Sequence, residues 1–213
     1  MNTERLECKN IWHDLSRTLA SELISRSVYP WDVIPHIKEF ILSVGQTLPA
    51  DRYDEVSDGI WIAKNAVISR LTEICAPCII GAGTELRVGA YLRGGTLIGE
   101  GCVIGNSTEL KNCILFDEVR VPHFNYVGDS VLGFHSHLGA GAVISNVRGD
   151  RSAVTVKVGE EKLPTGLSKF GAALGDFAEI GCGCVLNPGT IVPSGAVVHP
   201  LTSVSGLLSL KRK

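Results

Sequence analysis

The sequence is poor in aromatic residues and carries no excess of one charge. Phe, Trp and Tyr make up 6% of its 213 residues, there is one methionine, and glycine occurs 24 times. Large rings usually fill a broad core, so this composition suits a narrow interior lined by aliphatic and small side chains. With 20 basic against 22 acidic residues the formal charge at pH 7 is −2. A polyanion is therefore not an expected partner, and nucleic acid is not expected. No run of about 20 apolar residues occurs, so no membrane span is expected. Residues 1–20 carry charges throughout and lack an apolar signal core, so the expected location is cytoplasmic. The seven cysteines read as reduced thiols of an intracellular protein.

What is present is a period of six. From residue 62 to 116 every sixth residue is apolar: Ile62, Ile68, Ile74, Ile80, Leu86, Leu92, Ile98, Ile104, Leu110 and Phe116. Four positions after each of the first eight stands a small one: Ala66, Thr72, Cys78, Thr84, Ala90, Thr96, Cys102 and Thr108. Neither a helical period of 3.6 nor simple strand alternation explains a strict six. A stack of coils does, because no single coil buries its apolar side alone. The fold expected is all-β, a parallel β-helix of hexapeptide repeats in which three hexapeptides close one triangular coil. Counting the apolar positions gives about six coils, roughly 30 Å tall at ~4.8 Å per coil.

The period breaks near residue 117. It returns out of register at Leu132, Leu138 and Ile144, is lost over 147–170, and resumes from Leu174 to Val204. The charged stretch 147–170 is expected to protrude as a loop. Residues 58–207 are thus assigned to the β-helix and 1–50 to an α-helical extension, with a polar linker over 46–59. Within the extension, 3–26 reads as one amphipathic helix with Leu6, Leu15, Leu19 and Leu23 on its apolar face. A second helix is expected from Asp32 as N-cap to Ser43, ended by Gly45. A helical cap or an oligomer contact is the expected role. The tail Lys211-Arg212-Lys213 reads as a solvated end. The pair Cys75-x-x-Cys78 has no second pair of matching spacing, and Cys78 falls on the small interior phase, so no metal site is expected.

Some residues depart from the repeat in a chemical way. The position after each apolar residue points outward, and there Arg93 and Lys111 stand three hexapeptides, hence one coil, apart. Stacked one coil above the other, two cations repel unless an anion joins them, and a sugar phosphate is one such anion. The alternative is a pair of ordinary solvated cations. His123 falls where the repeat breaks, in a loop expected to project. A histidine there has the right chemistry for a general base, or it is a structural residue of a tight Pro-containing loop. Tyr126 is either a donor to substrate or a packing residue.

Four stretches together carry a family resemblance: Gly89-Ala90-Tyr91-Leu92-Arg93-Gly94-Gly95, Gly105-Asn106-Ser107-Thr108-Glu109-Leu110-Lys111, His123-Phe124-Asn125-Tyr126-Val127-Gly128-Asp129, and Leu138-Gly139-Ala140-Gly141 on to Asn146. Over about residues 60–205 the chain resembles the C-terminal acetyltransferase domain of bifunctional N-acetylglucosamine-1-phosphate uridyltransferases. It resembles more closely still that of archaeal-type sugar-1-phosphate nucleotidylyltransferases. The resemblance implies a left-handed winding, acetyl-CoA as co-substrate, an amino-sugar-1-phosphate as acceptor, direct transfer, and a homotrimer with sites between subunits. It implies His123 as general base, with Arg93, Lys111, Tyr126 and Asn146 binding the sugar phosphate and Ala140 and Cys182 lining the thioester site. Arg148, Arg151 and Lys157 are expected near the coenzyme A phosphates. No Gly-rich nucleotide loop occurs in residues 1–59, so nucleotidyl transfer is not expected. His137 and Val147 depart from the asparagine and tyrosine of the family. A non-catalytic binding or assembly subunit is therefore the alternative reading. A zinc-dependent carbonic anhydrase on the same fold needs three metal-binding histidines, and the spacing of His123, His135 and His137 does not resemble that family.

Overall fold

A computed structural model describes residues 3–209; the basic tail 211–213 lies outside them. From residue 60 the chain winds into a three-sided parallel β-solenoid. On the first side Ile62, Ile80, Ile98, Leu115, Leu132, Leu174 and Val192 stack in register. A bridge from Ile191 to Leu207 opens an eighth rung there. The second side is a seven-stranded parallel sheet running from Val67–Ile68 to Val197–Val198. The third side runs from Glu73–Ile74 to Ser203–Val204. The solenoid has about eight turns, where about six were expected; the short count passed over the middle turns, where the six-period slips.

The slip has a simple geometry. Ile80 pairs with Ile98, a full three hexapeptides on, but Ile98 pairs with Leu115, one residue short of that spacing. The next turn is equally short, with Leu115 against Leu132. The missing residue comes out of the corner between the third and first sides, where Asn112 and Asp129 take left-handed backbone angles (φ 50° and 48°). Leu115, not Phe116, is therefore the inward rung residue. Phe116 is buried instead outside the coil, its ring 5.7 Å from that of Trp12. For the same reason 117–129 does not project. It forms the strand Arg120–His123 and the start of the strand Tyr126–Leu132, both inside the ladder. Residues 147–170 leave the three-sided ladder as an inserted segment between the strands Val143–Ile144 and Ala172–Leu174. It contains an antiparallel hairpin, Thr155–Val158 against Glu161–Pro164.

The extension is not two helices. It is broken into 3-10 turns at Thr3–Leu6, Leu15–Arg17 and Ile34–His36 and short α-helices at Cys8–Ile11, Ser21–Ser25 and Pro30–Val33, ending in the helix Ile37–Gly45. Asp32 is not an N-cap; its carboxylate reaches back to the N–H of Tyr29, which caps the helix beginning at Pro30. Leu19 is exposed, while Ile11, Trp12, Ala20 and Ile24 are buried. The irregularity follows from what the segment covers. The outward column of the first side reads Trp61, Ile79, Leu97, Ile114, Val131, Ala173, Ile191, and every member is buried. Such a flat, apolar face must be covered, and a chain that follows it cannot keep one helical axis. Trp12 donates its indole N–H to Leu174 O (2.8 Å), Ser194 donates to Ile11 O (2.7 Å), and Asn112 donates to Ile34 O (3.3 Å). Gly45 sits so close to the Trp61 ring that a Cβ there would overlap it. With the first side covered, the second and third sides and their shared corner remain for chemistry.

Candidate active site

The third side carries most of the sequence-selected residues. Arg93 and Lys111 follow the paired inward residues Leu92 and Leu110, so they do stack on consecutive rungs. Each of them is paired with a carboxylate of its own. The Arg93 guanidinium reaches back to Glu109 (2.7 Å), whose neighbour on the next rung is Tyr126. Lys111 turns the other way, toward the corner, and pairs with both oxygens of Asp129 (3.0 and 3.2 Å).

Asp129 is the centre of this corner. Its carboxylate is buried and also accepts from Asn112 Nδ2 (2.9 Å) and from Asn146 Nδ2. A buried carboxylate needs this many donors, because each unmet lone pair loses its hydration for nothing. The left-handed backbone at Asn112 and Asp129 brings the two side chains together at successive turns. Asn146 links the corner to Tyr126. The half-buried phenol of Tyr126 lies beside the Asn146 side chain over Gly128, and its pKa is pushed up by burial and by the nearby charges of Glu109 and Asp129. Between them Gly128 leaves the necessary room: a Cβ there would stand 2.6 Å from the Tyr126 hydroxyl and 2.8 Å from Asn146 Nδ2. The third side therefore presents a continuous polar strip from Arg93–Glu109 through Tyr126 and Asn146 to Lys111–Asp129.

His123 stands at the other edge of that side, at its corner with the second side. Its ring is exposed, and its backbone is fixed: the N–H donates to Asn125 Oδ1 (3.0 Å) and the carbonyl accepts from Gly141 (3.0 Å). Asn125 is buried inside this corner and donates to Gly139 O (2.8 Å) and Ala142 O (3.0 Å), tying two turns together. Ala140 O accepts from Gly183 and Cys182 O from Leu201 (2.9 Å each). His123, Ala140 and Cys182 thus occupy equivalent positions on successive turns, one column along one corner. Phe124, next in the chain, adopts φ 52° and is 61% exposed. Other turns place Gly89, Gly141 and Gly183 at this point.

The two residues that depart from the family pattern lie elsewhere. His137 is on the second side and pairs with Glu179 (2.9 Å). Val147 begins the inserted segment. His135 pairs with Glu118 (3.1 Å) at the corner of the first and second sides, so the three histidines do not converge. Among the described residues no group of three His, Cys, Asp or Glu side chains is placed to hold a metal ion. The inserted segment lines a groove of about 370 Å³ with Arg148, Lys157 and Lys162, but not with Arg151.

Glu109, Asn112, Gly128 and Asp129 were missed by the sequence reasoning. One signal was available. Asp129 follows Lys111 at the same one-coil spacing that singled out Arg93 and Lys111, and with the opposite charge.

The ladder and its six-residue period define a hexapeptide-repeat parallel β-solenoid. A model of the GMPPB C-terminal domain matches residues 74–203, and the chain belongs to that family. The archaeal protein from Sulfurisphaera tokodaii described as a bifunctional sugar-1-phosphate nucleotidylyltransferase/acetyltransferase is 33% identical over 201 residues, covering 92% of this chain and 46% of the relative. The bifunctional protein GlmU of Methanococcus vannielii is 28% identical over 199 residues, covering 91% of this chain and 44% of its own. The Escherichia coli putative uncharacterized acetyltransferase YaiX is 30% identical over 177 residues, covering 72% of this chain and 76% of its own. The chain spans less than half the length of the two bifunctional relatives. Among the described residues no helix is long and apolar enough to cross a membrane.

Proposed function

We propose that the protein is an acetyl-CoA-dependent acyltransferase that N-acetylates an amino-sugar-1-phosphate, glucosamine- or galactosamine-1-phosphate. The observation that carries this reading is the single corner column of His123, Ala140 and Cys182 beside the polar strip of the third side. The thioester lies against Ala140 and Cys182 and its carbonyl carbon faces the sugar amine. The amine nitrogen attacks that carbon, His123 takes the proton the nitrogen loses, the C–S bond breaks, and coenzyme A leaves as the thiol after reprotonation. No acyl-enzyme forms. Arg93 and Lys111 serve the sugar phosphate, and Tyr126 and Asn146 orient the ring. Glu109 and Asp129 hold the two cations in place, so they are positioning residues. The turns wind left-handed, and three chains assemble so that a neighbour closes each open third side. The relatives named as acetyltransferases support the reaction class.

The test is release of free coenzyme A, read by thiol detection, from acetyl-CoA with either amino-sugar phosphate. Release that needs both the sugar and His123 supports the proposal. Undiminished turnover in His123→Ala overturns it. One observation favours a second reading, a non-catalytic assembly subunit: both cations already have carboxylate partners, Arg93 with Glu109 and Lys111 with Asp129. Co-purification with a separate nucleotidyltransferase, without any coenzyme A release, is the result that reading expects.

A further inference from the structure

Asn125 is the exception in a regular column. Ala90, Thr108, Asn125, Ala142, Cys184 and Thr202 each stand directly before a third-side strand, and the ladder puts them in register. Thr72 holds the same position one turn earlier. Three members of the column donate once, to a carbonyl of the next turn: Thr72 to Arg87 O (3.3 Å), Thr108 to Val121 O (3.1 Å) and Cys184 to His199 O (3.1 Å). At Ala90 and Ala142 the corner forms with no side-chain donor at all. One hydroxyl, one thiol or a methyl group is therefore enough to build this corner.

Asn125 makes the same bond, from Nδ2 to Gly139 O (2.8 Å), and adds two. Its Nδ2 also donates to Ala142 O (3.0 Å), and its Oδ1 accepts the N–H of His123 (3.0 Å). A hydroxyl has one hydrogen to give and cannot hold both carbonyls, whereas a carboxamide has two donors and an acceptor. The extra bonds close a frame around two residues of the corner column. Gly139 O belongs to the peptide that enters Ala140, and it is held by Asn125. The N–H of Gly141 belongs to the peptide that leaves Ala140, and it donates to His123 O (3.0 Å). Both peptides of Ala140 are thus tied to the segment that carries His123. With its N–H and carbonyl fixed, His123 keeps only its two side-chain torsions. The frame occurs at the turn that carries the histidine, although the corner itself does not require it.

We propose that Asn125 is a positioning residue of acetyl transfer, whose carboxamide sets the distance between the His123 base and the acyl group lying against Ala140. This role rests on the acyltransferase reading. Asn125 touches neither substrate; it acts through the backbone of the two residues that do. A base displaced by about 1 Å can cost on the order of a hundredfold in rate, so the cost of losing the frame falls on the reaction step and not on binding.

The test is Asn125→Thr in the full chain, assayed by coenzyme A release with acetyl-CoA and amino-sugar phosphate varied in turn. Threonine already fills this position at Thr72, Thr108 and Thr202, so it suits the corner and keeps a donor for Gly139 O. The expected result is a kcat about tenfold lower, with both KM values within about twofold of wild type. Asn125→Ala, which copies Ala90 and Ala142, is the second variant and should lose about thirtyfold in kcat. Thr84→Ala removes a matching bond, to Gly99 O (2.7 Å), at the corner of the first and second sides, and should leave kcat unchanged. Wild-type kcat in Asn125→Thr overturns the proposal. An equal fall in Thr84→Ala, or a fall that follows the unfolded fraction in a circular dichroism melt, makes Asn125 a structural residue only. A raised KM for acetyl-CoA with unchanged kcat also overturns it, since Asn125 then serves binding. Absence of acetyl transfer in wild type removes the acyltransferase reading and this role together. An active wild type beside an equally active Asn125→Thr removes this role alone.

Discussion

Lys111 and Asp129 form an ion pair at 3.0 Å in which the carboxylate side chain is 5% exposed and the lysine side chain 21%. The pair is nearly sealed, and its acid and the residue after its lysine, Asp129 and Asn112, are left-handed corner residues, so it holds the lysine in one place. Breaking it from the acid side strands a cation against Asn112 and Asn146. Removing one partner of a buried pair costs about 3–5 kcal/mol; the lysine still reaches water, so Asp129→Asn should cost about 2 kcal/mol in urea unfolding. Lys111→Ala should cost a similar amount. The double variant should lose less than the sum, with a coupling of about 1–3 kcal/mol. Additive losses would show that the pair does not act as a unit. In acetyl-transfer assays Asp129→Asn should raise the KM for the sugar phosphate more than it lowers kcat.

The extension is expected to be part of the solenoid's stability. Trp12 is fully enclosed, stacked obliquely on Phe116 and bonded to Leu174 O, which also accepts from Gly133. Trp12→Ala removes mostly packing, since Leu174 keeps a donor. Large-to-small changes at such a site cost about 3–5 kcal/mol. Limited proteolysis should then cut within residues 3–36 while the coils persist. A stability change below about 1 kcal/mol, well under the usual cavity cost, would mean that the extension is not held by its docking on the first side.

The repeat was legible from the sequence because a solenoid interior repeats the same demand at every coil: Ile80, Ile98 and Leu86 each answer one identical position. The turns at Leu115 and Leu132 were not legible as rungs. A corner that loses one residue shifts the phase while keeping the geometry, and Phe116 fell on the old phase by chance, being apolar for its contact with Trp12. The covering of the first side was written in the sequence as the outward column Ile79, Leu97, Ile114 and Val131, since an exposed face would not be aliphatic throughout. It is masked because each outward residue directly precedes an inward apolar one, Ile79 before Ile80 and Leu97 before Ile98, so the two columns merge into short apolar runs. In the candidate site Arg93, Lys111 and His123 could be chosen by type and spacing. Their partners could not be chosen so, because Glu109 and Asp129 are ordinary surface residues by type, and only the local path of the backbone turns them toward the cations.

Asp176 gives a pH-dependent check on the docking of the extension. Its buried carboxylate accepts the N–H groups of His13 (2.9 Å) and Phe134 (3.0 Å), and burial pushes its pKa above the ordinary value near 3.8. A carboxyl whose pKa is raised by folding contributes stability that is fully present below the unfolded value and lost as pH rises through the raised one. Wild type therefore gives up part of this contribution on going from pH 4 to pH 7. Asp176→Asn cannot ionise. It should be destabilised relative to wild type at pH 4, and the gap in melting temperature should narrow toward pH 7. A gap that widens with pH would mean that the hydrogen bonds to the ionised form outweigh its burial.

Phe124 separates strain from function. Its left-handed backbone costs a non-glycine residue about 1 kcal/mol, and its ring, 61% exposed, recovers little by packing. Glycine at this position relieves the strain but gains freedom in the unfolded chain worth about 0.5–1 kcal/mol. The two effects nearly cancel, so Phe124→Gly should leave stability within about 0.5 kcal/mol. Phe124→Ala, which keeps the strain and loses the ring, should be less stable than the glycine variant. Neither change touches the hydrogen bonds that fix His123, which run through Asn125 and Gly141. If the ring shields the reacting centre beside His123 from water, both variants should lower kcat/KM for acetyl transfer about tenfold despite their different stabilities. Parallel losses of activity and stability would instead make Phe124 a purely structural residue of the corner.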